Sequence, residues 1–122
     1  MWHAIRRVGG ISTLVVRLKI ADGWHTYARV PEGMPFLATK IAADLPKGFR
    51  WHGDWVMPAG RKSSEPGLTE YREEIVFVRQ FYATRPAKVT LKGTVCDQAC
   101  DAEKCWPPAN KPFDTVVQVS GR

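Results

Sequence analysis

The chain has 122 residues, enough for one domain, and a chain of that size removes roughly two-thirds of its unfolded surface from water. At 44% hydrophobic and 25% charged it has a globular balance, and it contains no run of 18 apolar residues that would cross a membrane as a helix. The net charge of +6 is dispersed, and its densest basic spots, Arg6-Arg7 and Arg61-Lys62, are too short to track a nucleic-acid groove, so no nucleic-acid partner is expected.

The start, Met1 to Arg7, lacks the apolar run of an export signal, as a piece of a larger exported protein also would. Leu14, Val16, Leu18 and Ile20 then share one face of a run over 13–20, with Arg17 and Lys19 on the other. That period of two predicts a half-buried strand. Asp22-Gly23 marks a turn, 24–27 a short strand, and Pro31-Glu32-Gly33 a break. A third strand is expected over 36–43, then the turn Leu45-Pro46-Lys47-Gly48 and a short run over 49–51. Residues 57–67, with Pro58, Gly60, Pro66 and Gly67, read as an irregular surface loop. Strands follow over 74–82 and over 88–95, where Val89, Leu91 and Val95 face one way. Trp106-Pro107-Pro108 interrupts pairing, because proline has no N–H, and 114–119 forms a last strand. No amphipathic helix of ten residues appears. Short strands at regular spacing predict an all-β fold, a β-sandwich.

All three cysteines, Cys96, Cys100 and Cys105, fall within one ten-residue window. An odd count leaves one thiol outside any purely structural disulfide framework. Zinc needs about four ligands, and His3, His25 and His52 lie far from the cysteines in sequence; iron–sulfur ligation lacks a fourth thiolate. Disulfide exchange asks for less: two thiols within bonding reach, one of them open to attack. Cys100 and Cys105 are separated by Asp-Ala-Glu-Lys, a polar turn that suits a surface hairpin. On spacing alone an inert hairpin disulfide remains open beside a redox-active one. His25, in the aromatic strand, is a candidate local base, although histidines in half-exposed strands more commonly pack or face solvent.

Gln98-Ala99-Cys100 and Cys105-Trp106-Pro107-Pro108 resemble the Q-A-C…C-[aromatic or Leu]-P-P signature of the N-terminal domain of the thiol:disulfide interchange protein DsbD. Earlier elements resemble that family in the same order: Ala21-Asp22-Gly23-Trp24-His25-Thr26-Tyr27, Leu45-Pro46-Lys47-Gly48, and Tyr71-Arg72-Glu73-Glu74-Ile75-Val76-Phe77. The resemblance covers nearly the whole chain. It implies an immunoglobulin-like β-sandwich with a redox-active cysteine hairpin and a cap loop, here residues 1–122 as one domain, a fragment of a larger exported or membrane protein.

It further implies a periplasmic or other extracytoplasmic location, membrane association only through an attached domain, and a monomer. The implied activity passes reducing equivalents from a thioredoxin-fold donor domain to oxidised periplasmic thioredoxin-fold clients, among them cytochrome-maturation reductases. A redox-active disulfide serves, with no organic cofactor and no metal. Carried onto this chain, Cys105 forms the mixed disulfide and Cys100 resolves it. Trp24, Tyr27, Trp106 and Pro107 support the site. The loop over 57–68 takes the cap position, with Asp54, Trp55 and Met57 as cap candidates. Cys96 has no counterpart in the family pattern, and strand alternation makes it a half-buried bystander. The competing expectations are a noncatalytic immunoglobulin-like interaction module with a structural disulfide, and a basic module using Arg6, Arg7, Arg61 and Lys62 on an anionic partner.

Overall fold

The computed structural model describes residues 2–8, 11–83 and 87–119, with side chains for 11–83 and 88–117, so the basic spot at Arg6-Arg7 lies outside the described side chains. Every regular element in them is a β-strand: β1 (Trp2–Val8), β2 (Ile11–Lys19), β3 (Thr26–Arg29), β4 (Lys40–Asp44), β5 (Phe49–Val56), β6 (Arg61–Lys62), β7 (Thr69–Tyr71), β8 (Glu74–Ala83), β9 (Ala87–Asp97) and β10 (Ala109–Val119). They form an antiparallel sheet in the order β1-β2-β8-β5, a second in the order β10-β9-β4, and a small third in the order β3-β7-β6.

The two larger sheets face each other across one core. Leu14, Val16 and Leu18 of β2 and Ile75, Phe77 and Phe81 of β8 meet Leu91 and Val95 of β9 and Phe113 and Val117 of β10. The alternation read in β2 and β9 is therefore the alternation that buries, and each of the larger side chains contributes about 1.5–3 kcal/mol by leaving water. Arg79 breaks the pattern, standing on the same side of β8 as Phe77 and Phe81. It is accommodated because its guanidinium lies 4.2 Å from the Trp51 ring centre and 5.9 Å from that of Trp55, and its Nε–H donates to the Gly53 carbonyl at 2.8 Å. A cation over aromatic faces keeps much of its electrostatic stabilisation away from water.

The structure differs from the sequence expectations at several places. Pairing over 36–43 is confined to Lys40–Asp44. Residues before it cross to β3 instead: the Thr39 N–H donates to the Tyr27 carbonyl at 2.8 Å, and Ala38 forms a parallel bridge with Tyr27. The loop expected over 57–67 contains β6, which pairs with β7. The last strand begins at Ala109, directly after Pro108. Pro112 is tolerated inside it because β10 pairs with β9 alone, leaving its other edge without ladder bonds to break. The strand β1 lies in a segment whose sequence gave no strand signal.

Two features anchor the small sheet to the sandwich. Chain enters β8 from β7 through Arg72-Glu73, where Glu73 takes φ 71°, the one positive value at a non-glycine among the described residues. The Ile20 N–H donates to the Glu73 carbonyl at 2.8 Å and holds this turn to the end of β2. On the other side Gly60, at φ +81°, lets the loop pass so closely that a Cβ there would lie 2.8 Å from the Glu70 carbonyl oxygen. The buried Tyr71 hydroxyl donates to the Pro58 carbonyl at 2.6 Å, and burial pushes its pKa up.

Gly93 sets the approach of β4 and β10 to β9, because a Cβ there would meet the Phe113 ring and lie 2.6 Å from the Ala42 carbonyl oxygen. Overpacking of that kind costs about 1–3 kcal/mol. Gly93→Val is expected to lower the urea midpoint by a corresponding amount with an unchanged slope; a midpoint equal to the parent's would show that Phe113 moves aside freely.

Candidate redox site

The site forms where β9 runs out of the core. After Asp97 the chain turns across the end of β3, and Cys100 meets His25 as a single antiparallel bridge. The His25 N–H donates to the Cys100 carbonyl and the Cys100 N–H to the His25 carbonyl, both at 2.9 Å. Cys100 bridges in turn to Cys105, and their sulfurs are joined in a disulfide. The return leg is fixed by the Trp106 N–H donating to the Ala99 carbonyl at 2.9 Å, and the turn is closed by the Asp101 N–H donating to the Lys104 carbonyl at 2.9 Å.

Asp101 is the residue that makes this turn fold. Its Oδ1 accepts the N–H groups of Glu103 and Lys104, each at 2.8 Å. These bonds to the Lys104 and Glu103 amides hold its carboxyl below the ordinary carboxylate range. Gln98 ties the hairpin to a second segment: its Oε1 accepts the Leu37 N–H at 2.9 Å and its Nε2 donates to the Trp106 carbonyl at 3.2 Å.

The two cysteines differ sharply in environment. Cys100 is 1% exposed and shares a small apolar cluster with Tyr27 and Leu68, flanked by Val30, Met34 and Phe36. Phe36 stacks on Tyr27 with ring centres 4.7 Å apart. Cys105 is exposed. Beside it the Trp24 and Trp106 rings lie 4.1 Å apart, and the Lys104 ammonium stands 4.6 Å from the Trp106 ring centre. Exposed Pro107 and Pro108 follow. Beneath Trp24, the buried Asp97 carboxylate receives the Lys111 ammonium at 2.9 and 3.0 Å.

On the other flank of the hairpin is an open cleft of about 490 Å3, lined among others by His25, Tyr27, Arg61, Glu70, Arg72 and Asp101. His25 Nε2 lies 3.1 Å from the Tyr27 hydroxyl. Burial lowers the pKa of His25 and raises that of Tyr27, and the Glu70 carboxylate adds to the rise. Glu70 is itself buried and bonded to the Arg72 guanidinium.

Of the residues singled out from sequence, Cys100, Cys105, Trp24, Tyr27, Trp106 and Pro107 come together here. Asp54, Trp55 and Met57 are placed elsewhere: Trp55 and Met57 pack against the main core, and exposed Asp54 lies 3.7 Å from Arg79. None of the three belongs to the cluster around Cys100. Sequence reasoning gave no role to Phe36, hidden in an apparent strand, and reached Leu68 only as the end of the expected cap loop. Gln98 was visible as part of the cysteine motif, but its two hydrogen bonds were not. Cys96 is a free, half-buried cysteine facing Asn110 on β10 and Lys40 on β4.

A family model described as thiol:disulfide interchange protein DsbD, N-terminal, matches residues 4–117. Among solved structures, the N-terminal domain of Neisseria meningitidis DsbD in the reduced form is similar, with a TM-score of 0.54 and 18% identity, covering 95% of this chain and 87% of that one. A likeness at that identity speaks for the fold. No curated protein matches the chain. With the family model spanning nearly its full length, the chain belongs to the family of the N-terminal domain of the thiol:disulfide interchange protein DsbD.

Proposed function

We propose that this domain exchanges thiols and disulfides through the Cys100–Cys105 pair, taking reducing equivalents from a thioredoxin-fold donor and passing them to oxidised extracytoplasmic proteins. The observation that carries this reading is the unequal burial of one disulfide: Cys105 exposed, Cys100 1% exposed. Exchange requires an incoming thiolate to reach one sulfur, and access decides which. Half-buried Trp24 and Trp106 and exposed Pro107 and Pro108 give a partner a surface beside Cys105. Tyr27, Leu68, Phe36 and Met34 cover Cys100 and direct attack to the other end of the bond.

A donor thiolate attacks Cys105 Sγ, the Cys100–Cys105 bond breaks, and the electron pair leaves on Cys100. The donor's second thiol attacks the mixed disulfide and releases Cys105, so the donor becomes a disulfide and the domain a dithiol. The same steps in reverse reduce a client. We read residues 1–122 as a single domain working in the periplasm or an equivalent compartment, attached to the membrane through another domain, with cytochrome c maturation among the processes its clients serve.

Cys105→Ser is expected to abolish exchange with a thioredoxin-fold reductase. Cys100→Ser is expected to accumulate a mixed disulfide, visible on a non-reducing gel. Full turnover by Cys105→Ser would show that the role given to Cys105 is wrong. Cys96→Ser is expected to turn over like the parent protein, and a large loss would bring that thiol into the mechanism.

The reduction potential separates the exchange reading from a structural staple. A couple well above about −300 mV supports a working carrier; one below it, with the bond closed to reductant in the folded protein, favours an interaction module.

The turn itself has a pH signature. The Asp101 bonds are complete above the ordinary carboxylate value and are lost as pH falls through its lowered one. The Glu103 and Lys104 amide resonances are expected to titrate with a midpoint below that ordinary value, and in Asp101→Ala the titration is expected to vanish. A midpoint at or above the ordinary value would dissolve this account of the turn.

A further inference from the structure

The buried cysteine poses a chemical difficulty that the exposed one does not. Closing the disulfide requires Cys100 to become a thiolate, yet the apolar cluster of Tyr27, Leu68 and flanking Phe36 disfavours the charged form. A proton acceptor inside the cluster would remove the difficulty.

Three observations identify one. His25 and Cys100 are directly opposed in an antiparallel bridge with both 2.9 Å bonds made, so their side chains leave the same side of the backbone with Cβ atoms about 5.5 Å apart. His25 Nε2 lies 3.1 Å from the hydroxyl of Tyr27, the aromatic residue clustered with Cys100. The other ring nitrogen, Nδ1, is buried with no hydrogen-bond partner. In the tautomer that carries the ring proton on Nδ1, the Tyr27 hydroxyl donates to Nε2, which is then the basic nitrogen facing Tyr27.

We propose that the His25–Tyr27 pair accepts the proton Cys100 loses when the reduced domain closes its disulfide. This rests on the exchange function given above. In the step, Cys105 is already joined to an oxidised partner. The Cys100 S–H proton passes to the Tyr27 oxygen as the Tyr27 O–H proton passes to His25 Nε2. The Cys100 thiolate attacks Cys105 Sγ, the Cys100–Cys105 bond forms, and the bond to the partner breaks. The partner sulfur departs with the electron pair, so the two cysteines lose two electrons and the partner's disulfide gains them.

The charged groups around His25 are arranged for a transient positive charge. Glu70, directly opposite Tyr27 on β7, and Asp101 in the hairpin favour the imidazolium. Arg72 opposes it but is bonded to Glu70, and Arg61 and Lys62 of β6 line the outer part of the same cleft. Burial outweighs the rest and keeps the resting imidazole neutral at neutral pH, the form that accepts a proton.

The test uses the reduced full chain carrying Cys96→Ser, mixed with one equivalent of the aromatic disulfide 5,5′-dithiobis(2-nitrobenzoate) in a stopped-flow absorbance cell. The first release of thionitrobenzoate reports attack by Cys105 and the second reports closure by Cys100. His25→Gln and Tyr27→Phe are each expected to slow the second release by about tenfold or more at neutral pH, the lower range of general-base contributions, and to leave the first unchanged. The gap is expected to close at high pH, where Cys100 ionises unaided. In the His25 parent the second release is expected to slow as pH falls through the lowered histidine pKa.

A second release in His25→Gln with the parental rate and pH profile would overturn the proposal. Should the variants fail to fold, the parent's profile decides alone: a closure rate that follows only a thiol titration, with no inflection below neutrality, overturns it equally. Failure of the domain to form a mixed disulfide with a thioredoxin-fold reductase would instead sink the exchange function, a separate measurement from these two phases.

Discussion

The pair of backbone hydrogen bonds between His25 and Cys100 is the constraint on which the rest of the site depends. They fix the hairpin to the end of β3, set Cys100 against Tyr27, and thereby bury one sulfur while the four-residue turn carries the other into solvent. β3 lies in the small sheet, so the redox hairpin hangs from an element outside the main sandwich. That element is tied to the frame by β7, which pairs with it and continues through the Glu73 turn into β8, a central strand of the core, and by the Thr39 bond to Tyr27. The sandwich thus acts as the frame and the small sheet as the bracket.

A disulfide with one buried end separates two tasks that a symmetric bond would mix. In the proposed exchange, a partner meets Cys105 beside Trp24, Trp106 and the two prolines, whose rings have little conformational freedom to lose on docking. In the same proposal the proton and charge changes fall on Cys100, beside His25, Tyr27 and Glu70 of the small sheet and its edge. Gln98 connects both halves through its bonds to Leu37 and Trp106, so the segment that brings Phe36 over Tyr27 is fastened to the hairpin it covers.

The polar groups at the site are balanced by specific partners. Asp97 meets Lys111, Glu70 meets Arg72, and Asp101 meets two turn amides. Buried charges without such partners would be costly. Among the described residues, the buried side-chain atoms left without a bond are His25 Nδ1 and the hydroxyls of Thr26, Thr39 and Thr69.

The amino-acid order by itself determined the all-β class, the inward faces of β2 and β9, and the cysteine hairpin, because period-two alternation and turn residues are local signals. It also pointed to Trp24, Tyr27 and Trp106, through a motif that places aromatic residues near the thiols. Only the tertiary structure decided what covers Cys100. Phe36 and Leu68 are 32 positions apart in the chain and meet there because the crossing before β4 and the end of the loop before β7 converge on β3. Trp55, a cap candidate just before the expected cap loop, packs against the core with Arg79 beside its ring. Long-range pairings of this kind leave no local trace, because a residue's neighbour across a sheet is fixed by register and not by spacing along the chain.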